Sequence, residues 1–589
     1  MKFSDLALFF QQLEQTPSRN SMTEILARLI GEAGLDEIDK VVYLIQGRVA
    51  PLYEPLEFGM ADRIMIQVLA RAFGVPPSVI SKQFGKLGDL GVVGEKMESG
   101  SLKLFGSEKR ELSVTEVYNE LYRLAKTSGE GSVDTKVNIL SELIGNLDPL
   151  SVRYVVRIPL GKMRLGFSDM TVLDALSWFI GKSKEHREEI ERAFNVRPDL
   201  GFIARVIKDQ GIRGLRGVQP EVGVPIMMAR AERLSSAKDI IEKIGKCAVE
   251  GKFDGFRVAV HKDGSKVRMF SRNMEETTAM FPDLAAAILK QVKAKNVIFE
   301  GEAIGYNPQT GEFLPFQETV QRKRKYEIEK TAKEVPLKLM CFDCLYVDGK
   351  NLINEPFVER RKWLEKIVNG QGNKGNRGNQ GNIMVSKMTI VEEPKELEII
   401  FQDAISRGLE GIMAKKLDGE YQAGARGWNW IKLKRSYQGK LDDEIDAVVM
   451  GYDFGQGKRS DFGIGDFLIG VYDQKADTFK TIAKIGTGLT DEEWKNLRQQ
   501  STKCKVQSKP ERYEVDKAMK CDVWVRPEMV VVIRADEISR SPVHTAGRTE
   551  KEPGYALRFP RLVDFRDDKS PEDATSVKEV QEMFELQKK

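Results

Sequence analysis

The sequence predicts a protein of three domains, in which an all-α domain is followed by an α+β domain and then by a small β-barrel. Two changes in the hydrophobic pattern support this fold class: apolar residues keep a helical period up to about residue 215, and short strands return after about residue 440. A chain of 589 residues has room for three domains of about 100–200 residues each. We place the domains at residues 1–215, 216–435 and 436–589.

The all-α prediction rests on apolar periodicity and on signals for helix starts. In "SVTEVYNELYRLAK" the run opens with Ser113 and has Glu116 three residues later, and "SMTEILARLIGEA" opens with Ser21 and has Glu24 at the same spacing. A Ser followed by Glu at this spacing, just before apolar residues of helical period, is typical of a capping box. We therefore expect helices that start at Ser21 and at Ser113.

The pattern changes near residue 220 and again near residue 440. Runs such as "GFRVAVHKDG" and "NVIFEGEAIGYN" indicate strands that end at turns, and helical runs such as "FPDLAAAILKQV" lie between them. This mixture predicts an α+β domain. The short strands beyond residue 440, such as "EIDAVVMGYD", suit a small barrel, and "VKEVQEMFELQ" indicates a terminal helix.

The composition limits the partners and the compartment. Lys and Arg number 92 and Asp and Glu number 88, so the net charge is only +4. A surface for nucleic acid must therefore come from local clusters of basic residues. No stretch reaches the roughly 18 apolar residues of a membrane span, and the N-terminus lacks the pattern of a signal peptide. The five cysteines fit a reducing compartment, and we expect a soluble, cytoplasmic protein.

Two further features carry little functional information. Cys341 and Cys344 form a C-x-x-C pair that could bind a metal or act in redox chemistry, but a structural zinc site needs four ligands and the sequence offers no second pair. Two small apolar residues in a strand are the simpler interpretation. Residues 369–382 are rich in Gly and Asn, which favours a surface loop, and we assign them no function.

The stretch "CAVEGKFDGFRVAV" places charged residues where two strands are predicted. Lys252 stands between Glu250 and Asp254 and is followed by Gly255. A surface hairpin with a weak ion pair would explain a lone K-x-D-G. The functional alternative is a lysine nucleophile that attacks phosphorus as the free amine and stores a nucleotide as a phosphoramidate. The glycine would let the backbone turn beside a phosphate.

The segments that follow Lys252 favour the nucleophile. They carry charged or aromatic residues in apolar strands, and they are "SRN" (271–273), "FEGEA" (299–303), "FDCLY" (342–346), "EGIMAKK" (410–416) and "WIKLK" (430–434). In this order they resemble the motif series of the covalent nucleotidyltransferases. "VRIPLGKMRLGFSDMTVLDALS", "YQAGARGWNWIKLKRSY" and "LRFPRLVDFRDDKSPEDATS" are similar to the archaeal and eukaryotic replicative ATP-dependent DNA ligases, so the resemblance covers nearly the whole chain.

This resemblance implies a fold and an activity. The domains would be a helical DNA-binding domain, an adenylation (nucleotidyltransferase) domain and an OB-fold domain, in a monomer of the archaeal type associated with the nucleoid. The enzyme would seal nicked double-stranded DNA with ATP and Mg²⁺, through AMP bound to a lysine, in replication, recombination, repair and the cell cycle. Two alternatives stay open, an RNA ligase or capping enzyme and a non-catalytic DNA-clamp or scaffold protein.

The resemblance also assigns roles to single residues. Lys252 would be the nucleophile, Phe342 would stack on adenine, Asp254 would tune Lys252 or the metal, and Asp568 would act with its neighbours on pyrophosphate. The residues expected to bind the nucleotide are Glu250, Arg257, Arg272, Glu302, Phe342, Arg426, Lys432, Lys434, Arg566 and Lys569. The residues expected to bind Mg²⁺ are Glu302 and Glu410.

Three short segments are candidates for macromolecular contacts. "GKMRLG" (161–166) has two glycines beside Lys162 and Arg164, and it resembles the family's contact to the DNA minor groove. "QRKRK" (321–325) is a second basic run, for which a solvated surface is the alternative. "SGSLKLFG" (99–106) is the nearest match to a peptide that docks on a sliding clamp, although it lacks the Gln and the second aromatic residue.

Overall fold

The chain folds into two compact units, Met1–Val218 and Gln219–Lys589. The computed structural model describes residues 1–99, 111–314, 316–319, 322, 328–369, 381–434, 444–454, 463–486, 489–535 and 537–587. Three predicted segments fall mostly outside these residues, namely the clamp peptide (99–106), the basic run (321–325) and the Gly/Asn-rich stretch (369–382).

The first unit is helical, as predicted, and its described residues contain no strand. Its helices are α1 (Phe3–Glu14), α2 (Arg19–Glu32), α3 (Ile38–Ile45), α4 (Asp62–Phe73), α5 (Pro77–Leu87), α6 (Leu90–Ser99), α7 (Val114–Lys126), α8 (Ser132–Gly145), α9 (Pro149–Arg157), α10 (Asp169–Gly181), α11 (Arg187–Val196) and α12 (Leu200–Gln210), followed by a 3₁₀ helix (Ile212–Gly217). Helix α1 buries Phe3, Leu6, Phe10 and Leu13 on one face, the spacing of an amphipathic helix.

One of the two predicted helix starts is right. Ser113 caps α7 and forms a capping box with Glu116. The predicted start at Ser21 is wrong, because α2 begins at Arg19 and the hydroxyl of Ser18 accepts a hydrogen bond from the backbone N–H of Ser21. A second serine three residues upstream therefore serves as the cap and lengthens the helix.

The first part of the second unit contains two sheets whose strands alternate along the chain, because β3–β8 of one sheet lie between β2 and β9 of the other. One has the order β1-β11-β10-β2-β9 and the other the order β4-β3-β5-β6-β7, with β8 beside β6. The strands are β1 (Arg230–Arg233), β2 (Cys247–Lys252), β3 (Phe256–Asp263), β4 (Lys266–Phe270), β5 (Asn296–Gly305), β6 (Leu337–Val347), β7 (Lys350–Asn351), β8 (Ile383–Val385), β9 (Met388–Val391), β10 (Gly411–Lys416) and β11 (Arg426–Lys434). The helices are α13 (Ala237–Ile244), α14 (Pro282–Gln291), α15 (Phe316–Thr319), α16 (Ile328–Glu334), α17 (Phe357–Asn369) and α18 (Pro394–Ser406).

Strand alternation separates the core of each sheet from its polar side. In β2, Cys247 and Val249 join an apolar cluster with helices α13 and α18, whereas Glu250 and Lys252 point to the opposite face. In β5, Val297 and Phe299 pack in a second cluster, whereas the two glutamates of "FEGEA" lie on the other side. Successive side chains of a strand point to opposite faces, so each sheet buries one face and presents charged groups on the other.

The rest of the second unit is a β-rich region around its own core. An eight-stranded sheet has the order β15-β17-β12-β13-β14-β16, with β18 paired to β12 and to β21, and β19 pairs with β20. Its strands are β12 (Glu444–Asp453), β13 (Asp466–Asp473), β14 (Thr478–Ile485), β15 (Lys505–Val506), β16 (Tyr513–Glu514), β17 (Val523–Val525), β18 (Val530–Arg534), β19 (Glu537–Ser541), β20 (Gly554–Arg558) and β21 (Arg561–Phe565). Its helices are α19 (Asp491–Cys504) and α20 (Val577–Leu586), and the latter is the predicted terminal helix.

Two properties bear on the sequence predictions. No single helix in the described ranges is long and apolar enough to cross a membrane, although the bent pair α4 and α5 passes the same criteria when taken together. Cys341 and Cys344 are both buried in β6, and burial raises the pKa of each thiol well above its usual value. Among the described side chains, no group of three or more potential ligands could hold a metal ion.

Candidate active site

A cavity of about 310 Å³ is lined by residues of the five-stranded and six-stranded sheets of the second unit and is completed by residues near the C-terminus. The site residues predicted from the sequence all line it: Glu250, Lys252, Asp254, Arg257, Arg272, Glu302, Phe342, Glu410, Arg426, Lys432, Lys434, Arg566, Asp568 and Lys569. They come from strands β2, β3, β5, β6 and β11, from loops beside them and from the loop after β21.

The strand register places Lys252 beside a carboxylate and a second lysine. Gly411 of β10 pairs with Lys252 of β2 on one side and with Lys434 of β11 on the other. Glu410 precedes this glycine; its carboxylate forms ion pairs with both lysines, and its backbone N–H donates to the Lys252 carbonyl at 3.1 Å. Burial alone would raise the pKa of Glu410, but Lys252 and Lys434 together hold it well below its usual range.

Two glycines are required by close backbone contacts. A Cβ at Gly255, between β2 and β3, would lie 2.4 Å from the carbonyl oxygen of Ala303. A Cβ at Gly411 would lie 2.0 Å from the carbonyl oxygen of Leu433, and its φ of +157° is also unfavourable for other residues. Both glycines therefore let neighbouring strands approach closely around Lys252.

Glu302 is the carboxylate whose charge is least favoured in the cavity. Burial raises its pKa to about 7, Lys252 and Arg257 oppose this shift, and the carboxylates of Glu410 and Asp254 add to it. Burial also raises the pKa of Asp254. The charge of Glu410 adds to the raised pKa of both Glu302 and Asp254, and a divalent cation with oxygen ligands would relieve this repulsion. The chemistry of these oxygen donors suits Mg²⁺, although the described side chains are not gathered into a group of three or more that could hold a metal ion.

Phe342 reaches the cavity because of a β-bulge. The pairing of β5 with β6 passes from Glu300–Asp343 to Gly301–Cys341, so Phe342 is the extra residue. A bulge turns one side chain out of the regular alternation and is common beside active sites. The Phe342 ring packs edge to face against Trp430, with ring centroids 5.9 Å apart, and the two rings form one wall of the cavity.

Glu250 forms the floor beside this wall. Its carboxylate accepts a hydrogen bond from Arg361 of α17 and one of 2.9 Å from the Ser386 hydroxyl, and it pairs with Lys415 at 2.6 Å. Glu250 is 2% exposed, so this carboxylate is buried with its partners. The Lys415 ammonium also lies 4.8 Å from the Phe342 ring centroid, and it therefore joins the floor to the aromatic wall.

The cations expected to bind phosphates are paired with carboxylates near the C-terminus. Glu579 of α20 pairs with Arg426, and Asp573 pairs with Arg272 at 3.1 Å and with Arg230 at 3.0 Å. Burial lowers the pKa of Lys432 to about 7, although the Glu579 carboxylate opposes this shift. These pairs join β1 and β11 to the segment that follows β21.

The last predicted motif enters the same cavity. The Arg566 guanidinium donates two hydrogen bonds of 2.7 Å to Asp568, and Lys569 pairs with Asp446 of β12. Burial lowers the pKa of Lys569. The Asp446 carboxylate opposes this shift, and the Arg272 guanidinium adds to it. Arg566 and Lys569 therefore lie beside the cations of the α+β region, although more than 300 residues separate them from Lys252 in sequence.

The glycine-flanked loop lies in the first unit, between α9 and α10. Gly161, Arg164 and Gly166 all have positive φ, so the loop is tightly turned. Lys162 pairs with Asp62 at 2.7 Å, and Arg164 pairs with the buried Asp89 at 3.2 Å. Arg322, the described member of the second basic run, is buried and donates to Asp283, so its guanidinium serves the fold.

The sequence prediction missed several residues of the cavity and its surroundings. They are Arg230, Glu300, Arg361, Ser386, Lys415, Trp430, Asp573 and Glu579. Trp430 and Lys415 stand inside quoted motifs, so alternation along β10 and β11 could have revealed them. Nothing in the local sequence separates Asp573 or Glu579 from ordinary residues at a helix start.

Comparisons with known proteins cover most of the chain. Residues 227–434 match the family described as "ATP dependent DNA ligase domain", residues 2–177 match "DNA ligase N terminus", and residues 460–569 match "ATP dependent DNA ligase C terminal region". A probable DNA ligase of Dictyoglomus turgidum is 51% identical over 590 residues, which is 100% of this chain and 98% of the relative. DNA ligase 2 of Thermofilum pendens is 42% identical, with the same two coverages.

Solved structures are more distant. A mycobacterial DNA ligase D complexed with ATP and MES is 23% identical, covers 59% of this chain and 98% of its own, and has a TM-score of 0.33.

Proposed function

We propose that this chain, which belongs to the ATP-dependent DNA ligase family, forms phosphodiester bonds with the residues of the cavity around Lys252. Lys252 attacks the α-phosphorus of ATP as the free amine, pyrophosphate leaves, and AMP stays on the lysine nitrogen. The observation that carries this proposal is that all the motif residues predicted from the sequence line one cavity with Lys252.

The cavity walls suit the parts of ATP. Adenine stacks on Phe342 beside Trp430, and Glu250 lies at the edge of the base. Arg257 and Glu302 face the ribose. The phosphates meet the cations of the opposite wall, where positioning and charge neutralisation do most of the catalysis. Those cations are Arg272, Arg426, Lys432 and Lys434.

Two groups of residues assist the leaving pyrophosphate. Arg566 and Lys569 lie in the cavity with Lys252 and supply positive charge where the phosphate–phosphate bond breaks. Glu302 and Glu410 would hold Mg²⁺, which neutralises the phosphate oxygens when it is bound. Asp254 stands next to both and adjusts the charge around Lys252.

The later steps take place on DNA. AMP moves from Lys252 to the 5′-phosphate of a nick, and the 3′-hydroxyl then displaces AMP. The helical residues 1–215 bind the duplex through Lys162 and Arg164, whose charges suit phosphates. Residues 216–435 act as the adenylation domain, and residues 436–589 act as an OB-fold domain. We propose a monomeric, cytoplasmic enzyme associated with the nucleoid, and the clamp contact at residues 99–106 remains a prediction.

Mass spectrometry of the nucleotide adduct tests this function. After incubation with ATP and Mg²⁺, the wild-type protein should carry AMP on Lys252, and Lys252→Ala should carry none. Lys416→Ala is the matched control, because Lys416 lies on β10 outside the cavity and pairs with Asp418. An adduct that persists in Lys252→Ala, or that maps to another residue in the wild type, refutes the assignment.

Substrate preference separates the remaining alternatives. A DNA ligase seals a nicked DNA duplex faster than a nicked RNA duplex or an RNA end, whereas an RNA ligase or capping enzyme shows the opposite order. A scaffold protein forms no adduct at all. Binding to nicked DNA should also weaken steeply with salt, because the contacts are to phosphates.

A further inference from the structure

We propose that Glu300 is a positioning residue that holds Arg257 away from Glu302, so that Glu302 stays available to the nucleotide and its cation. This inference rests on the proposed function of the cavity. It starts from strand register: Arg257 of β3 lies directly opposite Glu302 of β5, and Glu300 lies two residues along the same face. Both glutamates are therefore within reach of one arginine side chain.

The arginine is bound to the more distant glutamate. Its Nη2 donates to Glu300 Oε2 at 2.9 Å, and its Nη1 donates to the Ala229 carbonyl at 2.7 Å. Glu300 is 1% exposed and does not line the cavity, whereas Arg257 and Glu302 both do. Glu300 thus holds the guanidinium further along β5, against the aromatic wall and away from Glu302.

In this position the Arg257 guanidinium lies against the aromatic wall formed by Phe342 and Trp430. The Cζ atom of Arg257 lies 5.4 Å from the Phe342 ring centroid and 5.2 Å from the Trp430 ring centroid. A cation at this distance from an aromatic ring is attracted to it. Arg257 Nε and Glu300 Oε1 are both buried and lack a hydrogen-bond partner within the described part of the chain. The Arg257 guanidinium therefore lies against the aromatic wall while its ion pair with Glu300 stays buried.

Glu300 and Glu302 have different roles, because only Glu300 pairs with Arg257. If Glu300 lost its charge, the nearest carboxylate for Arg257 on the same face would be Glu302. An Arg257–Glu302 pair would cover the Glu302 oxygens and move the guanidinium off the wall. Both changes would weaken the binding of the nucleotide and raise the Mg²⁺ requirement.

Binding of an ATP analogue tests the proposal without any covalent step. In the analogue, a methylene group replaces the α–β bridging oxygen, so AMP transfer cannot occur. Glu300→Gln keeps the shape of the side chain, and it should raise the dissociation constant of the analogue, measured by calorimetry without metal, about tenfold, as expected for loss of a charge-assisted contact. It should also raise the Mg²⁺ concentration for half-maximal adenylation in the presence of ATP.

A double-mutant cycle separates positioning from a general structural effect. Because Glu300 acts through Arg257, Glu300→Gln should change binding by less than about twofold in an Arg257→Met background. Glu276→Gln is the control: it removes the partner of Arg268, a pair of 3.0 Å outside the cavity, and should leave binding unchanged. Wild-type binding by Glu300→Gln, or an equal effect in both backgrounds, overturns the proposal.

The conservative variant keeps the test valid if Glu300→Gln does not fold. Glu300→Asp retains the charge but is one methylene shorter, so the dissociation constant should rise about threefold, less than with Gln. An unchanged value for Glu300→Asp also overturns the proposal. Analogue binding does not depend on Lys252 as nucleophile, so a failed adduct experiment and a failed Glu300 experiment are distinguishable.

Discussion

Replacement of Glu579 by Gln should weaken the fold of the second unit and strengthen ATP binding at the same time. Burial alone would raise the pKa of Glu579, but Arg426 and Lys432 lower it from 4.5 to about 2. That shift corresponds to about 3 kcal/mol of favourable interaction, which is an upper bound for the loss in the free energy of unfolding. Gln keeps the capping box that Glu579 forms with Ser576, so α20 itself should persist.

The pH dependence has a defined sign. A carboxyl group whose pKa is depressed in the folded state stabilises the protein above its unfolded pKa, and this contribution is lost as the pH falls through the folded value. The wild type should therefore lose the Glu579 contribution between pH 4.5 and about 2, and Glu579→Gln should lack that part of the profile. Urea unfolding of both proteins at several pH values measures it.

The affinity for ATP should change in the opposite direction and increase, because Glu579 pairs with Arg426, one of the cations proposed to bind the phosphates. Without its charge, Arg426 is released, and the ATP analogue should bind about tenfold more tightly by calorimetry. Glu585→Gln is the matched control further along α20, where the partner is Gln581 and the cavity is not touched. Weaker analogue binding by Glu579→Gln would refute this reasoning, since Glu579 would then assist the nucleotide.

Three further outcomes follow from the cavity. Phe342→Ala should weaken analogue binding by about 1–3 kcal/mol and Phe342→Tyr should be nearly silent, as stacking predicts, whereas equal loss in calorimetry would indicate a packing role. Arg566→Ala with Lys569→Ala should block adduct formation in mass spectrometry yet still seal a nick that already carries AMP, which a denaturing gel detects; loss of both activities contradicts it. The Glu302 carboxyl has a folded pKa raised to about 7, so the free energy of unfolding should fall as the pH rises from 4.5 to 7. Glu302→Gln should remove this pH dependence, and urea unfolding at pH 8 should show that the variant is more stable than the wild type.

The strands around Lys252 could be predicted because their signal is local. Alternation in "CAVEGKFDGFRVAV" predicts two strands, and β2 (Cys247–Lys252) and β3 (Phe256–Asp263) are found there. The same alternation places Glu250 and Lys252 on one face. The start of α7 at Ser113 was predictable for the same reason, whereas α2 was misplaced because two serines could both cap it.

Other features depend on contacts that no local pattern records. The inward position of Phe342 results from a bulge between β5 and β6, and a bulge changes the count of residues rather than their type. Asp573 and Glu579 meet cations of β1 and β11 only after the chain has folded, across more than 150 residues. Their sequence context, a charged turn and a helix start, is the same as on any surface.

The register of β10 (Gly411–Lys416) limits which genetic changes this protein can tolerate. Because β10 pairs with β2 and β11 at once, deletion of one codon within it would slip both pairings together. Met413 and Lys415 would then turn toward the apolar cluster, and Ile412 and Ala414 would turn toward the cavity. In-frame insertions and deletions should therefore be absent from surviving clones in these six residues, even where single substitutions at Met413 survive.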